Sequence, residues 1–145
     1  MRLLPALLPL TLIVLASGLV HAQPQDAPPP TDERVIIFFA WDRPIIDGDA
    51  AARLDTLAAS FGRSPGVRLE LAGHADRSGP SAPNMRSGRK RAEAVHAYLA
   101  ARGVPGAAMT IVSHGESRPL VATADGVREP HNRRVEISLT RAPGT

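Results

Sequence analysis

The sequence predicts an α/β (α+β) two-layer sandwich, in which two main helices pack on a mixed β-sheet. The first observation is the order of the elements, strand–helix–strand–helix–strand–strand, or βαβαββ. The second is the pattern of apolar residues, which form a continuous run in the first predicted strand, alternate with charged residues in the second, and recur every three or four positions in the predicted helices. The third is size, because 145 residues with 43% hydrophobic content suffice for one compact domain with a terminal appendage.

The first predicted strand and helix lie in the first third of the globular region. Val35–Phe39 is a continuous apolar run, which is typical of a strand covered on both faces. Asp47 fits the N-cap position of a helix, and Gly62 is placed to end it. The apolar residues of this helix follow at helical spacing and are Leu54, Leu57, Ala58 and Phe61. The aromatic residues expected in the core are Phe38, Phe39 and Trp41.

The later elements have equally clear patterns. Apolar and charged residues alternate from Val67 to Leu71, which predicts a half-buried strand that runs into Gly73. A loop from His74 to Pro83 is expected to precede the second helix, which Gly103 ends. The inner face of this helix is predicted to be Met85, Gly88, Ala92, Val95 and Leu99. The last two predicted strands are residues 109–114 and 135–140.

The N-terminal residues have the features of a secretory signal peptide. Arg2 supplies a positive charge, Leu3–Val20 is apolar, and cleavage is expected after Ala22. The alternative is an uncleaved membrane anchor, because the apolar stretch is near the length that spans a bilayer. Either reading places the remainder outside the cytoplasm. We therefore expect residues 1–22 to direct export, residues 23–33 to form a proline-rich linker, and residues 34–141 to form the domain.

Composition narrows the possible partners. The formal net charge is +3 and Lys90 is the only lysine, so most of the positive charge is arginine. A basic surface can attract nucleic acid, anionic lipid or an anionic wall polymer, but export makes nucleic acid an unexpected partner. The chain has no cysteine, which excludes a disulfide framework, thiolate metal ligands, a cysteine nucleophile and a lipidated N-terminal cysteine.

Candidate binding residues cluster after the second predicted strand. Asp76 follows the strand end, where α/β sheets present ligand sites, and Gly73 and Gly79 allow tight turns beside it. Asn84 and Arg91 are seven residues apart, so they share one face of the second helix. Arg91 can therefore point towards the loop of Asp76. A carboxylate beside a guanidinium suits a ligand that carries both an ammonium group and a carboxylate.

These residues closely resemble the OmpA-like C-terminal domain family. The family pattern is G-H-T-D-x-x-G, then an asparagine, then L-S-x-R-R-A at a helix start, and N-R-R-V-E near the end. The resemblance extends over roughly Val35 to Leu139, in the predicted order of elements. The matching residues are Gly73, His74, Asp76, Gly79, Asn84, Arg91, Ala92, Asn132, Arg133, Arg134, Val135 and Glu136.

The resemblance implies a non-catalytic module that binds peptidoglycan through the diaminopimelate residue of the stem peptide, without a cofactor or metal. Asp76 would hold the ammonium group of the ligand, and Arg91 a carboxylate. It further implies a periplasmic protein, associated with the outer membrane or with other envelope proteins, as a monomer or weak dimer. The predicted ligand-binding set is Asp76, Arg91, Asn84, His74, Ala75, Gly79 and Arg133.

Five positions depart from the family pattern. Ala75 replaces threonine, Pro83 replaces an aromatic residue, Ser87 and Gly88 replace Leu-Ser, and Lys90 replaces the first arginine of a pair. Glycine inside a helix costs about 1 kcal/mol relative to alanine, whereas proline suits a first helical turn. We expect the fold to tolerate these changes. A weakened affinity or a different ligand variant would follow from them.

Two other functions compete with wall binding. A degenerate module would mediate only protein–protein contacts, and an envelope hydrolase would need paired carboxylates, a nucleophile with its base, or a metal shell. His74 and Asp76 have an H-x-D spacing, but no further cluster completes a metal shell. His74 is instead expected to be a hydrogen-bonding loop residue. Strand alternation predicts that one of Arg133 and Arg134 faces the packed side of the sheet or the ligand groove, and that the other faces solvent. Arg133 is predicted to support the site, and the alternative is that it only forms an ordinary ion pair.

Overall fold

A computed structural model describes residues 34–141, which form one four-stranded sheet with two helices. The predicted signal peptide and linker lie outside the described residues. Within residues 34–141, no helix is both long enough and apolar enough to cross a membrane. The elements are β1 (Arg34–Phe38), α1 (Gly48–Phe61), β2 (Val67–His74), α2 (Ser81–Ala100), β3 (Met109–Gly115) and β4 (Arg134–Arg141), with single 3-10 turns at Gly106–Ala108 and Pro130–Asn132.

The strand order in the sheet is β1-β4-β2-β3. β4 is antiparallel to both of its neighbours, and β2 and β3 are parallel, with α2 as the crossover between them. The predicted βαβαββ order and the mixed sheet are therefore confirmed. The parallel pair places the carboxyl ends of β2 and β3 side by side, at the same edge as the beginning of β4 and the end of β1.

The core lies on one face of the sheet, between the strands and both helices. Every second strand residue points into it, as the alternating burial of β2 requires. α1 contributes Leu54 and Leu57, and the N-cap carboxylate of Asp47 accepts a hydrogen bond from the Ala50 backbone at 2.9 Å, as predicted. The central strand residues of this core are Ile37, Leu69, Leu71, Val135 and Ile137.

Two predictions about aromatic residues are wrong, and one is confirmed. Phe39 is buried, but Phe38 is 45% exposed and Trp41 is 48% exposed. The helices cover only one face of the sheet, so only one face of β1 is covered. The prediction that the apolar run Val35–Phe39 is covered on both faces is therefore wrong. The side chain of Phe38 lies on the uncovered face, where its ring meets the edge of the His131 ring.

Two glycines explain how closely α2 approaches the sheet. A Cβ at Gly73 would overlap the backbone carbonyl of Gly88, and a Cβ at Gly88 would lie 2.6 Å from Ser113 Oγ and 2.9 Å from the Gly73 carbonyl oxygen. Gly73 therefore serves close packing inside β2 and not the predicted tight turn. Gly88 lowers helix propensity but permits this contact.

The predicted inner face of α2 needs one correction. Gly88, Ala92, Val95 and Leu99 are buried, whereas Met85 is 43% exposed. The backbone at Met85 packs against the chain that leaves β3, and its carbonyl accepts a hydrogen bond from Ser113 Oγ at 2.8 Å. This first part of the helix approaches its neighbours by backbone contact, so the side chain is left to point outwards.

Candidate functional site

A cleft of about 520 Å³ opens at the carboxyl end of β2, between α2 and the loop that follows β1. The edge of the sheet where β2 and β3 end is the usual place for a ligand in such folds. Most of the residues lining the cleft are polar or charged. They are Trp41, Asp42, Arg43, Pro44, Ala75, Asp76, Ser78, Gly79, Pro83, Asn84, Arg86, Ser87, Lys90 and Arg91.

The Arg91 side chain is buried in the wall of this cleft. One terminal nitrogen donates a hydrogen bond to the His74 backbone carbonyl at 2.9 Å, which fixes the guanidinium beside the end of β2. Burial lowers the pKa of Arg91, while the nearby Asp76 carboxylate raises it. Arginine remains a cation at neutral pH because its intrinsic pKa is so high. Within the described residues no carboxylate forms a salt bridge with Arg91, so the remaining donors can take an anion.

Asn84 connects three segments around the cleft. Its side-chain amide donates a hydrogen bond to the Gly79 carbonyl at 2.9 Å and another to the Glu116 carboxylate. The loop after β2, the first turn of α2 and the loop after β3 are thereby joined. Asn84 shares the cleft wall with Arg91, as the seven-residue spacing predicts. No side chain caps the start of α2, so the positive end of its dipole is also directed to this region.

Asp76 is buried at the base of the cleft, and both of its carboxylate oxygens have partners. One oxygen accepts from the Ser78 hydroxyl at 2.6 Å and from the Ser78 backbone at 3.3 Å. The other accepts from Arg133 at 3.0 Å and from the Glu129 backbone at 3.2 Å. Burial alone would raise the pKa of Asp76, but the hydrogen bonds from Ser78 and Arg133 outweigh it and lower the pKa. The carboxylate is therefore ionised at neutral pH.

The two arginines at the start of β4, Arg133 just before it and Arg134 as its first residue, are both buried, so the prediction that one of them faces solvent is wrong. Arg133 forms the salt bridge to Asp76 and also donates to the Phe39 carbonyl at 3.2 Å. Arg134 donates to Glu136 at 2.7 Å through Nε and to the Arg118 carbonyl at 3.1 Å. The segment that precedes β4 folds over the sheet edge and covers the side chain that alternation alone would leave outside.

His74 also differs from its prediction. It is the last residue of β2, and its buried ring has no hydrogen-bond partner within the described residues. The ring lies against His114 at a centroid distance of 5.3 Å, and its Nε2 is 3.9 Å from Glu136. Burial and, next, the charge of Arg134 lower the pKa of His74 to about 4. His74 is therefore a neutral packed ring, and only its backbone carbonyl contributes to the cleft.

The structure brings together most of the predicted site residues and separates two of them. Asp76, Arg91, Asn84, Ala75 and Gly79 line the cleft. The other two predicted residues, His74 and Arg133, support it from behind. Residues that the sequence interpretation missed include Ser78, Glu116, Arg43 and Arg86.

Trp41 belongs to a loop that sequence patterns did not connect with the site. Asp42, the next residue, has a φ of 64°, a left-handed conformation that aspartate tolerates better than most residues. This turn carries Trp41 and Arg43 to the cleft. The Arg128 guanidinium lies over the Trp41 ring, 3.9 Å from its centroid. The signal that could have found this loop was the exposed W-D-R-P stretch directly after a strand at the same sheet edge.

A polar, partly cationic cleft at the carboxyl end of the parallel strands is a common place for a ligand in two-layer α/β domains. Across residues 34–141 no group of three or more histidine, aspartate and glutamate side chains is placed to hold a metal ion. The chain belongs to the OmpA family, whose model matches residues 38–133. The predicted family is thus confirmed, and the match includes the whole cleft.

Curated relatives share a substantial part of the sequence. The chain is 38% identical over 103 residues to a peptidoglycan-associated lipoprotein from Rhizobium meliloti (strain 1021), which covers 71% of this chain and 58% of the relative. It is 39% identical over 117 residues to an outer membrane protein from Gluconacetobacter diazotrophicus, which covers 76% of this chain and 31% of the relative. The chain therefore spans less than two thirds of the length of both.

Solved structures confirm the fold. The crystal structure of the peptidoglycan-associated lipoprotein from Burkholderia pseudomallei has a TM-score of 0.68 and 30% sequence identity, over 72% of this chain and 89% of that one. The periplasmic domain of Helicobacter pylori MotB has a TM-score of 0.61 at 19% identity, over 76% of each chain. The second likeness is one of fold alone. Both structures confirm the predicted packing of helices on a mixed sheet.

Proposed function

We propose that this chain binds peptidoglycan non-covalently through diaminopimelate in the stem peptide. The observation that carries the proposal is the buried Arg91 guanidinium, which lines the cleft beside an ionised Asp76 without forming a salt bridge within the described residues. The family relationship supports it, because relatives named peptidoglycan-associated lipoprotein match most of this domain. An ammonium and a carboxylate on one tetrahedral carbon are the groups that such a pair recognises.

Arg91 has the simpler role in this proposal. Its position is fixed by the bond to the His74 carbonyl, so the free donors are preorganised to bind the ligand carboxylate in bidentate fashion. The uncapped start of α2 adds positive potential near the same carboxylate. Lysine at position 91 would keep the charge but lose the planar pair of donors.

Asp76 must exchange a partner to bind an ammonium group. Its four hydrogen bonds already occupy about all the acceptor positions of a carboxylate. The Ser78 hydroxyl is the partner that can rotate away, because a hydroxyl can donate elsewhere, whereas Arg133 is held by a second bond to Phe39. The ligand ammonium then replaces the Ser78 hydroxyl on the same oxygen. Arg133 stays in place and keeps the carboxylate ionised.

A hydrolase is the less favoured function. A carboxyl group that acts as a general acid needs a raised pKa, whereas the hydrogen bonds to Asp76 lower its pKa. A degenerate module without ligand binding is also less favoured. The departures from the family pattern at Ala75, Pro83, Ser87 and Lys90 lie in the cleft wall, but the Asp76 and Arg91 side chains are present and positioned.

Location and partners follow from the same proposal. A wall-binding module acts in the periplasm, where its relatives carry names that refer to the outer membrane or to peptidoglycan. The predicted cleavage after Ala22 would release residues 23–145 into that compartment. A monomer or weak dimer remains the expectation for its oligomeric state. Contacts with other envelope proteins remain part of the proposal.

Co-sedimentation with purified sacculi tests the proposal. The exported chain should pellet with sacculi, and free diaminopimelate should release it. Arg91→Ala and Asp76→Ala should lose binding, and Arg91→Lys should lose most of it with the fold retained by circular dichroism. Arg89→Ala is the matched control, since Arg89 is exposed on the same helix and pairs with Glu93. A folded wild type that stays in the supernatant would contradict the proposal.

A further inference from the structure

Three cationic side chains in the cleft have no use in the binding scheme above. Arg86 and Lys90 are four residues apart on α2, so they are neighbours on one face of the helix. Arg43 belongs to the loop after β1, on the other wall of the cleft. None of the three forms a salt bridge with any described residue. Like charges that line one cleft repel each other unless an anion lies between them.

Two arginines that are adjacent in sequence to cleft residues have acidic partners instead. Arg89 lies between Arg86 and Lys90 in sequence, but it faces away and pairs with Glu93 at 3.0 Å. Arg77, directly after the cleft residue Asp76, pairs with Asp125 at 2.8 Å. Both of these arginines therefore have an acidic partner outside the cleft. Arg43, Arg86 and Lys90 differ from these two arginines in lining one cleft together without an acidic partner among the described residues.

Charge and size both leave room for a second anionic group. The lining contains four cations, Arg43, Arg86, Lys90 and Arg91, and two carboxylates. One of these carboxylates, Asp76, is already neutralised by Arg133. A volume of about 520 Å³ lies in the range of pockets that hold ligands much larger than one amino-acid end. A ligand that offers only one zwitterionic end would leave the outer cations uncompensated.

We propose that Arg43, Arg86 and Lys90 form a second anionic subsite that binds another free carboxylate of the wall peptide. This carboxylate lies outside the ammonium-bearing end of diaminopimelate that Arg91 and Asp76 hold. The inference rests on the proposed function and adds a specificity to it. The domain distinguishes stem peptides with free carboxylates from those whose remote carboxylates are amidated. Wall chemistry thus sets how tightly the chain is held.

Calorimetric titration with two synthetic stem peptides tests the subsite on the exported protein. Both peptides contain diaminopimelate with an intact zwitterionic end, and they differ only in having the remote carboxylates free or converted to carboxamides. The wild type should bind the amidated peptide about three- to tenfold more weakly, as expected for exposed charge pairs. The difference should shrink at high salt, because screening weakens interactions of exposed charges.

Variants then assign the effect to these residues. Arg86→Gln/Lys90→Gln should bind the free peptide about three- to tenfold more weakly than the wild type and should distinguish the two peptides less, because only Arg43 of the subsite remains. Arg53→Gln/Arg89→Gln removes the same charge outside the cleft and should behave as the wild type. Equal binding of both peptides by a wild type that still needs Arg91 would overturn the subsite alone. If neither peptide binds, the proposed function is overturned with it.

Discussion

The charged side chains behind the sheet edge are paired in salt bridges, whereas, within residues 34–141, the cations at the cleft rim are not. Around the start of β4, Arg133 is paired with Asp76, and Arg134 is paired with Glu136, all within buried or half-buried surroundings. At the rim, Arg86 and Lys90 have no acidic partner among the described residues and are exposed. The difference separates charges that stabilise the fold from charges that are available to a ligand.

The comparison also explains why both sets occur at one sheet edge. Removing one partner of a buried ion pair leaves an uncompensated charge and is strongly destabilising. The Asp76–Arg133 pair therefore holds the base of the cleft in a defined geometry. Exposed cations contribute little to folding, so they can remain unpaired at small cost. The base is thereby rigid and the rim is free to bind. Three predictions test this division, from the largest expected effect to the smallest.

The largest effect is expected when Arg133 is replaced. Arg133→Met should lower the free energy of unfolding by about 3 kcal/mol or more, because Asp76 is left buried without its cation. Chemical denaturation at neutral pH measures the loss. Asp76→Asn/Arg133→Met should be less destabilised than Arg133→Met alone, since it leaves no unpaired charge. A loss under about 1 kcal/mol for the single variant would mean that the pair does not anchor the base.

The second effect is a dependence of stability on pH that comes from His74. Its pKa in the folded state, about 4, is below the ordinary histidine value of 6.5, so the unfolded chain takes up a proton first as the pH falls. Stability is fully present above pH 6.5 and is lost between pH 6.5 and about 4. The difference of these two pKa values corresponds to roughly 3 kcal/mol.

Denaturation curves between pH 7.5 and about 4 measure this effect, using the slope of unfolding free energy against pH. His74→Asn should flatten the slope even if it lowers stability at neutral pH, because the titrating ring is gone. His96→Gln, on α2 with its ring beside Gly106, should keep the wild-type slope. An unchanged slope in His74→Asn would mean that groups other than His74 cause the acid sensitivity in this pH range.

The smallest effect is expected at the cleft rim. Arg86→Gln/Lys90→Gln should leave the free energy of unfolding unchanged or raise it slightly, within about 0.5 kcal/mol, because it removes repulsion between like charges on one helix face. Thermal and chemical denaturation of wild type and variant measure the difference. Arg34→Gln is a useful contrast, since Arg34 pairs with Glu136 at 3.1 Å and should lose up to about 1 kcal/mol. A large loss in the rim variant would mean that these cations stabilise the fold.

Most of the fold and about half of the site geometry could be predicted from sequence patterns. Helix α1 follows from the Asp47 cap and the spacing of Leu54 and Leu57, because capping and amphipathic periodicity are local properties. The positions of Asp76 and Arg91 in one cleft follow from the strand end and the helix register. Such patterns do not predict which charged side chains form salt bridges with each other. Asp76 pairs with Arg133, which is 57 residues away in sequence.

The errors share one cause, which is that local patterns do not show what covers a surface. Phe38 is exposed because no layer covers the outer face of β1, and Arg134 is buried because the preceding segment folds over it. The sequence predicts that Gly88 lowers helix propensity. In the structure it is the position where helix and strand backbones meet, as the contacts with Gly73 show.

The sequence by itself determined the βαβαββ order, the helix and strand periods, and the residue types present at the sheet edge. These depend on capping, on backbone preference and on apolar spacing, which act over a few residues. The tertiary structure alone decided which charges are paired and which cations of the cleft are left without a salt bridge among the described residues. It also decided that the His74 ring is buried and neutral. Pairing and burial depend on distances between segments far apart in the chain, and only the assembled sheet brings those segments together.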